Sequence, residues 1–398
     1  MNPKDIQLIF YLPTLSNYYD RVHLVGEIAR KIGKVILVTS RIDIDVEEIG
    51  LDRQVEVIQI PDGARLPGRT AFAASRVVES ILEKKRFNIV HDTFGHLLPL
   101  FFRKKRFPEC IFITSQYNLA EWDFRHIIWP TYGFKFLTSR DLWLIILRIF
   151  LQRSIFYLAD YIVLQAPGHI DRLVQHIHIS RSKIVSIPNN ISGPLELERV
   201  TDTSNKRDDK TIRLLYVGAF TVGKGGDALL DIIDLARARN IPLQATVIGH
   251  FASITEGYMR NRIRCLSLGE RLSIKGRTDR EKLIEFYQDS DWLFHLTSVD
   301  GSPRVVIEAL SQGLPVVGSH HPGITVLDPG AQFILFADSN EPDRILNELV
   351  AFKNDQKRYT DCSMRGKAYV RKNFFSERAS ELYVDLYMRL LTHKAQDA

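Results

Sequence analysis

Short apolar runs alternate with helix-length stretches twice along this chain, once on each side of a polar segment, and that repetition leaves few architectures open. In the first half, Gln7–Leu12, Lys34–Thr39, Ile89–Val90, Cys110–Thr114, Tyr161–Leu164 and Ile184–Ile187 read as strands, with helices over Tyr19–Lys31 and Ala71–Lys85. A strand that returns parallel to its neighbour needs a crossover, and a helix supplies it, so the pattern predicts a parallel sheet. Residues 192–210 (SGPLELERVTDTSNKRDDK) are too polar to bury a face and read as a linker. The series then begins again, with strands at Ile212–Val217, Gln244–Ile248, Trp292–Leu296 and Pro315–Gly318, and helices at Ala228–Arg239, Arg280–Gln288 and Arg304–Ser311. The expectation is an α/β protein of two Rossmann-like, doubly wound domains, 1–191 and 211–375, facing a cleft. A closing amphipathic helix, 376–398, spaces Leu382, Leu386 and Leu390 four apart and is expected to pack back on the first domain.

The 398-residue length suits two such cores, and 45% hydrophobic with 25% charged residues is a globular composition. A net charge of +6 does not call for a nucleic-acid partner. Cys110, Cys265 and Cys362 are odd in number and lack CxxC spacing, which argues against a disulfide framework or a zinc site. With no signal-like apolar run after Met1, a cytoplasmic setting is expected. Leu142–Leu164 is strongly apolar but interrupted by Arg148, Arg153 and Asp160, so it reads as a helix followed by a buried strand rather than a span. That helix, together with Arg103-Lys104-Lys105-Arg106 between Phe102 and Phe107, is also compatible with peripheral contact at the inner face of a membrane.

The stretch Asp300–Gly318 (DGSPRVVIEALSQGLPVVG) places two carboxylates eight residues apart across a change from loop to helix. Pro303 marks the helix start, and Gly313 followed by Pro315 ends it. A helix N-terminus there suits a phosphate, and Glu308 in the second turn suits the hydroxyls of an attached ring. Three further loops follow strands of the same half. Gly218–Asp227 (GAFTVGKGGD) carries glycines and Lys224, although no Ser or Thr follows the lysine as in a Walker loop. Gly249-His250-Phe251 and Gly276-Arg277-Thr278 complete the set. Together the four loops order themselves as a nucleoside-diphosphate site.

The strings YVG-x5-KGGD, VIGH and KGRTDREKLIEFYQDSDWLFHLTSVDGSPRVVIEALSQGLPVVGS resemble, from about Leu214 to about Leu335, the donor-binding half of retaining, nucleotide-sugar-dependent glycosyltransferases of family 4, which have the GT-B fold. In the first half, Val185–Asn190 resembles that family's IPNG element. The resemblance implies a nucleoside-diphosphate sugar as donor, a glycan or lipid-linked hydroxyl acceptor, and neither cofactor nor metal, in polysaccharide or glycolipid biosynthesis. It assigns Glu308 to the ribose, Asp300 to the donor sugar near the reacting carbon, and Lys224 to the diphosphate. The turn from Ser302 through Pro303 to Arg304 would cover the phosphates, with Gly218, Gly249, Arg277 and Thr278 completing the donor site.

Several positions depart from the family. Ala219 stands where an arginine is usual, with Arg304 or Arg277 as replacement cations, and Asp300 replaces a glutamate. Tyr117 stands where many members carry a histidine beside the acceptor. His91 and Asp92, read as a strand end, are further acceptor-side candidates, and Trp122, Arg125, Trp129 and Tyr132 form a possible aromatic shelf. Packing explains these residues equally well. Two other readings stay open: a different GT-B activity such as a nucleotide-sugar epimerase, and a degenerate GT-B protein that binds a nucleotide or a partner enzyme without turnover.

Overall fold

The computed structural model describes residues 2–14, 19–42, 51, 55–60, 67–84, 88–116, 120, 140–165, 167–192, 210–251, 256–298 and 300–397. The chain divides into two compact units, residues 1–193 with 374–398, and residues 194–373. Most of the expected linker, with Tyr117, Trp122, Arg125, Trp129 and Tyr132, lies outside the described residues.

The first unit runs β1 (Gln7–Thr14), α1 (Tyr19–Lys31), β2 (Lys34–Arg41), β3 (Val55–Gln59), α2 (Pro67–Lys84), β4 (Ile89–Thr93), α3 (Leu98–Phe101), β5 (Ile111–Gln116), α4 (Arg140–Leu158), β6 (Tyr161–Leu164), α5 (Gly168–Ile177) and β7 (Ile184–Ser186). The strands form a parallel sheet in the order β3-β2-β1-β4-β5-β6-β7. Side chains alternate across a strand, and β1 shows what this does. Leu8, Phe10 and Leu12 enter one core with α1, while Ile9 and Tyr11 enter another with α2, α3 and the end of α4. Both faces are covered, which is why the central strands are almost wholly apolar.

The second unit runs β8 (Ile212–Val217), α6 (Gly226–Ala238), β9 (Leu243–Ile248), α7 (Glu256–Leu266), β10 (Leu272–Ile274), α8 (Arg280–Asp289), β11 (Trp292–His295), α9 (Arg304–Ser311), β12 (Val316–Gly318), α10 (Pro322–Thr325), β13 (Ile334–Phe336), α11 (Pro342–Asn354) and α12 (Gln356–Asn373). Its sheet is also parallel, ordered β10-β9-β8-β11-β12-β13. Strand order reverses between β8 and β11, and the loops at their carboxyl ends therefore splay apart around a crevice, the usual ligand position in such sheets.

The closing helix α13 (Ser376–Asp397) returns to the first unit. Tyr383, Leu386, Tyr387, Leu390 and Leu391 are buried in the core shared with α1 and β1, and Leu382 packs half-buried at its edge. Polar contacts fix its start: the Ser376 amide donates to the Ile191 carbonyl at 3.0 Å, and Lys31 Nζ reaches Ser380 Oγ at 2.7 Å. No helix among the described residues is long and apolar enough to cross a membrane.

β4 continues three residues further than its apolar start suggests, and this changes the standing of His91 and Asp92. Both lie inside the strand and are fully buried. His91 Nδ1 is 2.7 Å from the Tyr387 hydroxyl on α13, and Nε2 is 2.6 Å from Ser115 Oγ on β5. Both ring nitrogens are thus engaged inside the core, and the ring has none left for a substrate. Burial, reinforced by the charge of Arg21, pushes the His91 pKa down to about 3. Burial pushes the Asp92 carboxyl well above its usual range, against the backbone amides of Leu97, His96 and Gly95. The structure places this pair in the core of the first unit, where His91 joins β4 to β5 and α13.

Because the folded ring stays neutral, the unfolded chain takes up a proton below its ordinary value of about 6.5 that the native protein refuses until about 3. Stability is therefore lost as pH falls through that window. Between about pH 7.5 and about pH 5, His91 is expected to account for roughly 2 kcal/mol of lost stability. Urea unfolding of the wild type and His91→Gln at the two pH values should show a shallower pH dependence in the variant.

Candidate active site

The loops expected to form a nucleotide site do meet at the carboxyl end of the second sheet. Gly218 follows β8 at φ +132°, and Gly249 follows β9 at φ +150°. A Cβ on Gly249 would lie 1.9 Å from the Gly218 carbonyl oxygen, so the two loops can pass this closely only with glycine at 249. The Gly249 amide donates to the Gly276 carbonyl at 2.7 Å, which draws in the segment carrying Arg277 and Thr278. Arg277 is exposed and Thr278 half-buried. Ala219 contributes its carbonyl, which accepts from the Tyr216 hydroxyl at 2.8 Å.

Lys224 ends a short 3-10 turn, Val222–Lys224, and is followed by Gly225 at φ +78°. A Cβ on Gly225 would sit 2.6 Å from the Leu296 carbonyl oxygen. The β8 loop is thus pressed against the end of β11, and three hydrogen bonds tie the two together. The Gly223 carbonyl accepts from the Ser298 amide at 3.0 Å, Ser298 Oγ at 3.1 Å and Thr297 Oγ1 at 3.4 Å.

Across this junction Lys224 Nζ donates to Asp300 Oδ2 at 3.1 Å and Oδ1 at 3.3 Å. His295, the last residue of β11, places Nε2 3.1 Å from the same Oδ2. The Asp300 side chain is 15% exposed, that of Lys224 33% and that of His295 3%. Burial alone would raise the Asp300 pKa, but the Lys224 charge and the His295 hydrogen bond overcome it and hold the carboxyl well below the usual range. Asp300 is therefore an anion at neutral pH. The imidazole keeps one carboxylate oxygen in place while the more exposed lysine can turn to another partner.

Pro303 is the N-cap of α9, whose first residue is Arg304, and makes no side-chain cap hydrogen bond. At α8, by contrast, Asp279 Oδ1 accepts from the Lys282 amide at 3.0 Å. The α9 terminus thus keeps its positive end facing the loop that holds Asp300. Ser302, just before it, is buried. Backbone packing sets the loop's position, since a Cβ on Gly323 at α10 would lie 2.2 Å from the Asp300 carbonyl oxygen. In the second turn of α9, Glu308 is 9% exposed and its Oε2 accepts from the Tyr287 hydroxyl at 3.0 Å. Burial first, and then the neighbouring Glu308, push the Tyr287 pKa well up, so the hydroxyl keeps its proton and donates.

The structure thus brings Lys224, Asp300, the Ser302–Arg304 turn and Glu308 to one end of one sheet, with Gly218, Gly249 and the Arg277–Thr278 segment beside them. His91 and Asp92 belong to the other unit and to its core. Sequence reasoning missed His295 and Tyr287. His295 does carry a local signal, a histidine closing the otherwise apolar run Trp292–Phe294 five residues before Asp300. Tyr287 has only its helical spacing from Ile284, which reads as packing.

Replacing Lys224 with methionine removes the larger of the two influences that offset burial at Asp300. Its carboxyl pKa then rises from the wild-type value, with the His295 hydrogen bond still opposing burial. A carbon-13 NMR titration of the carboxylates checks this, with Lys224→Met compared to wild type.

Residues 199–369 match the family model described as glycosyl transferases group 1. An uncharacterized glycosyltransferase of Haemophilus influenzae is 23% identical over 261 residues, 65% of this chain and 68% of that protein. The fold is similar to that of sucrose-phosphate synthase from Thermosynechococcus elongatus, with a TM-score of 0.73 at 16% identity over 98% of this chain and 100% of that one. It is also similar to HepE of Anabaena in complex with UDP and glucose, with a TM-score of 0.69 at 13% identity over 96% and 99% of the two chains. In sequence over residues 199–369, and in its two Rossmann-like units, the protein is similar to the group 1 glycosyltransferases with the GT-B fold.

Proposed function

We propose that the protein is a retaining glycosyltransferase of family 4 that moves a sugar from a nucleoside-diphosphate sugar to a hydroxyl acceptor in polysaccharide or glycolipid assembly. The observation that carries this reading is the Lys224–Asp300–His295 cluster, set beside an uncapped helix start in the part of the chain that matches the group 1 family. Such a site has a cation and helix dipole for a diphosphate and a fixed anion for the sugar.

In the reaction the bond from the anomeric carbon to the diphosphate oxygen breaks, and its electron pair leaves with the diphosphate. Lys224 and the α9 terminus stabilise that charge electrostatically, without a metal ion. Asp300, held by His295, faces the positive charge developing on the sugar. The acceptor oxygen bonds to the same face of the carbon and its proton passes to the departing diphosphate. Glu308, oriented by Tyr287, accepts from the ribose hydroxyls. The HepE neighbour was crystallised with UDP and glucose, which makes a UDP-sugar the first donor to test.

Calorimetric titration against UDP, GDP, ADP and dTDP sugars, followed by assays of donor hydrolysis and transfer, tests the proposal. Asp300→Asn and Lys224→Ala are each expected to lower kcat by about a hundredfold or more. Turnover indifferent to both substitutions would overturn the site. A wild type that binds the nucleotide but neither hydrolyses nor transfers the sugar would favour the degenerate binding protein instead. Separately, Tyr287→Phe should weaken UDP binding by about five- to tenfold, because Glu308 loses the donor that orients it.

A further inference from the structure

Both faces of α4 are apolar, and among the described residues only one of them is covered. Towards its C-terminus Ile155 and Phe156 are buried in the core with Phe101 and Phe112. On the other side Trp143, Leu144, Ile146, Leu147, Phe150 and Leu151 are between 42% and 70% exposed. At about 100° per residue these six fall within an arc of about 160°, one continuous face of the helix. Over Trp143–Leu151 that face extends roughly 12 Å.

Charge selects what can cover it. Between Leu142 and Ala159 the sequence has no acidic residue, and its two charged residues, Arg148 and Arg153, fall near opposite borders of the apolar arc. Two buried or half-buried acids near this face are already paired. Asp160 is held by Lys104 and accepts from the Phe112 amide, and Glu79 is held by Arg103 and Arg106. Arg148 remains exposed on α4, and so does Lys105 in the turn after α3, next to Phe102 at 64% exposure. An apolar strip with tryptophan and phenylalanine, edged by arginines and with no acid from Leu142 to Ala159, matches a surface that is apolar below and anionic at its rim. Lipid acyl chains beneath phosphate headgroups have that profile.

We propose that this face of α4 docks on an anionic lipid bilayer, the helix lying in the plane of the headgroups. The contact is one-sided, because the opposite face belongs to the core of the first unit. This proposal goes beyond the transfer reaction and stands or falls independently of it.

Flotation of the full-length protein with phosphatidylcholine vesicles, with and without phosphatidylglycerol, tests it. The protein should rise with the anionic vesicles, less so in high salt, and tryptophan emission should shift to the blue on binding, a shift reduced in Trp143→Phe. Leu147→Glu with Phe150→Glu should weaken binding by more than about tenfold, and Arg148→Ser by about fivefold. All these positions are exposed, so the melting temperature should stay at the wild-type value, and a parallel melting curve separates lost docking from lost folding. Equal flotation of wild type and the double variant would overturn the proposal, as would an absence of vesicle binding at low salt. Lipid-free self-association abolished by the double variant would also overturn it, by making a second copy of the chain the occupant.

Discussion

Keeping a carboxylate charged where little water reaches it is the constraint around which the second unit is organised. Asp300 meets it with two partners of different character, a buried imidazole on the sheet and a more exposed ammonium on the neighbouring loop. Each partner needs its own backbone support. Lys224 arrives because Gly225 lets the chain pass against Leu296, and because the Gly223 carbonyl is held by Thr297 and Ser298. His295 arrives because β11 carries it to the end of the sheet. The network therefore ties the loops on both sides of the strand-order reversal to one charge, and the crevice cannot be altered there without also altering the ionisation of Asp300.

The same physical problem is solved differently in the first unit. His91 and Asp92 are adjacent, fully buried and titratable, and each is driven towards its neutral form by burial. Their hydrogen bonds serve to connect β4 with β5, α13 and the turn that follows. A histidine held by hydroxyls on both sides is a cross-brace between sheet and helix. Asp300 keeps its charge because a cation stands beside it, and His91 loses its charge because it is fully buried, with the Arg21 charge adding to the effect.

Elements that announce themselves locally were legible in the sequence, and those that depend on partners distant in the chain were not. The limits of α9 followed from Pro303 and Gly313, and those of α1 and β6 from their apolar patterns alone. β3 escaped notice because it is an edge strand, Val55–Gln59, none of whose residues is fully buried. α12 escaped because its buried stripe is Tyr359, Cys362, Gly366 and Val370, small or polar residues on an otherwise charged helix. His91 was read as a strand end because polar residues in a strand suggest its edge, whereas this strand runs on through three of them into the core. At the site, the charged residues and the glycines were visible as motifs. Their orienting partners His295 and Tyr287 were not, since a hydrogen bond between side chains 21 residues apart, as from Tyr287 to Glu308, leaves no local spacing to read.

The return of α13 to the first unit has a consequence for how the protein is made. The core around β1 and α1 is completed by Tyr383, Leu386, Tyr387, Leu390 and Leu391, residues that leave the ribosome after the whole second unit has been synthesised. The unit begun first is thus the one finished last. During translation one face of its sheet is covered by α1 alone, while the second unit already has every residue it needs to fold, so the first unit exposes apolar surface the longer of the two.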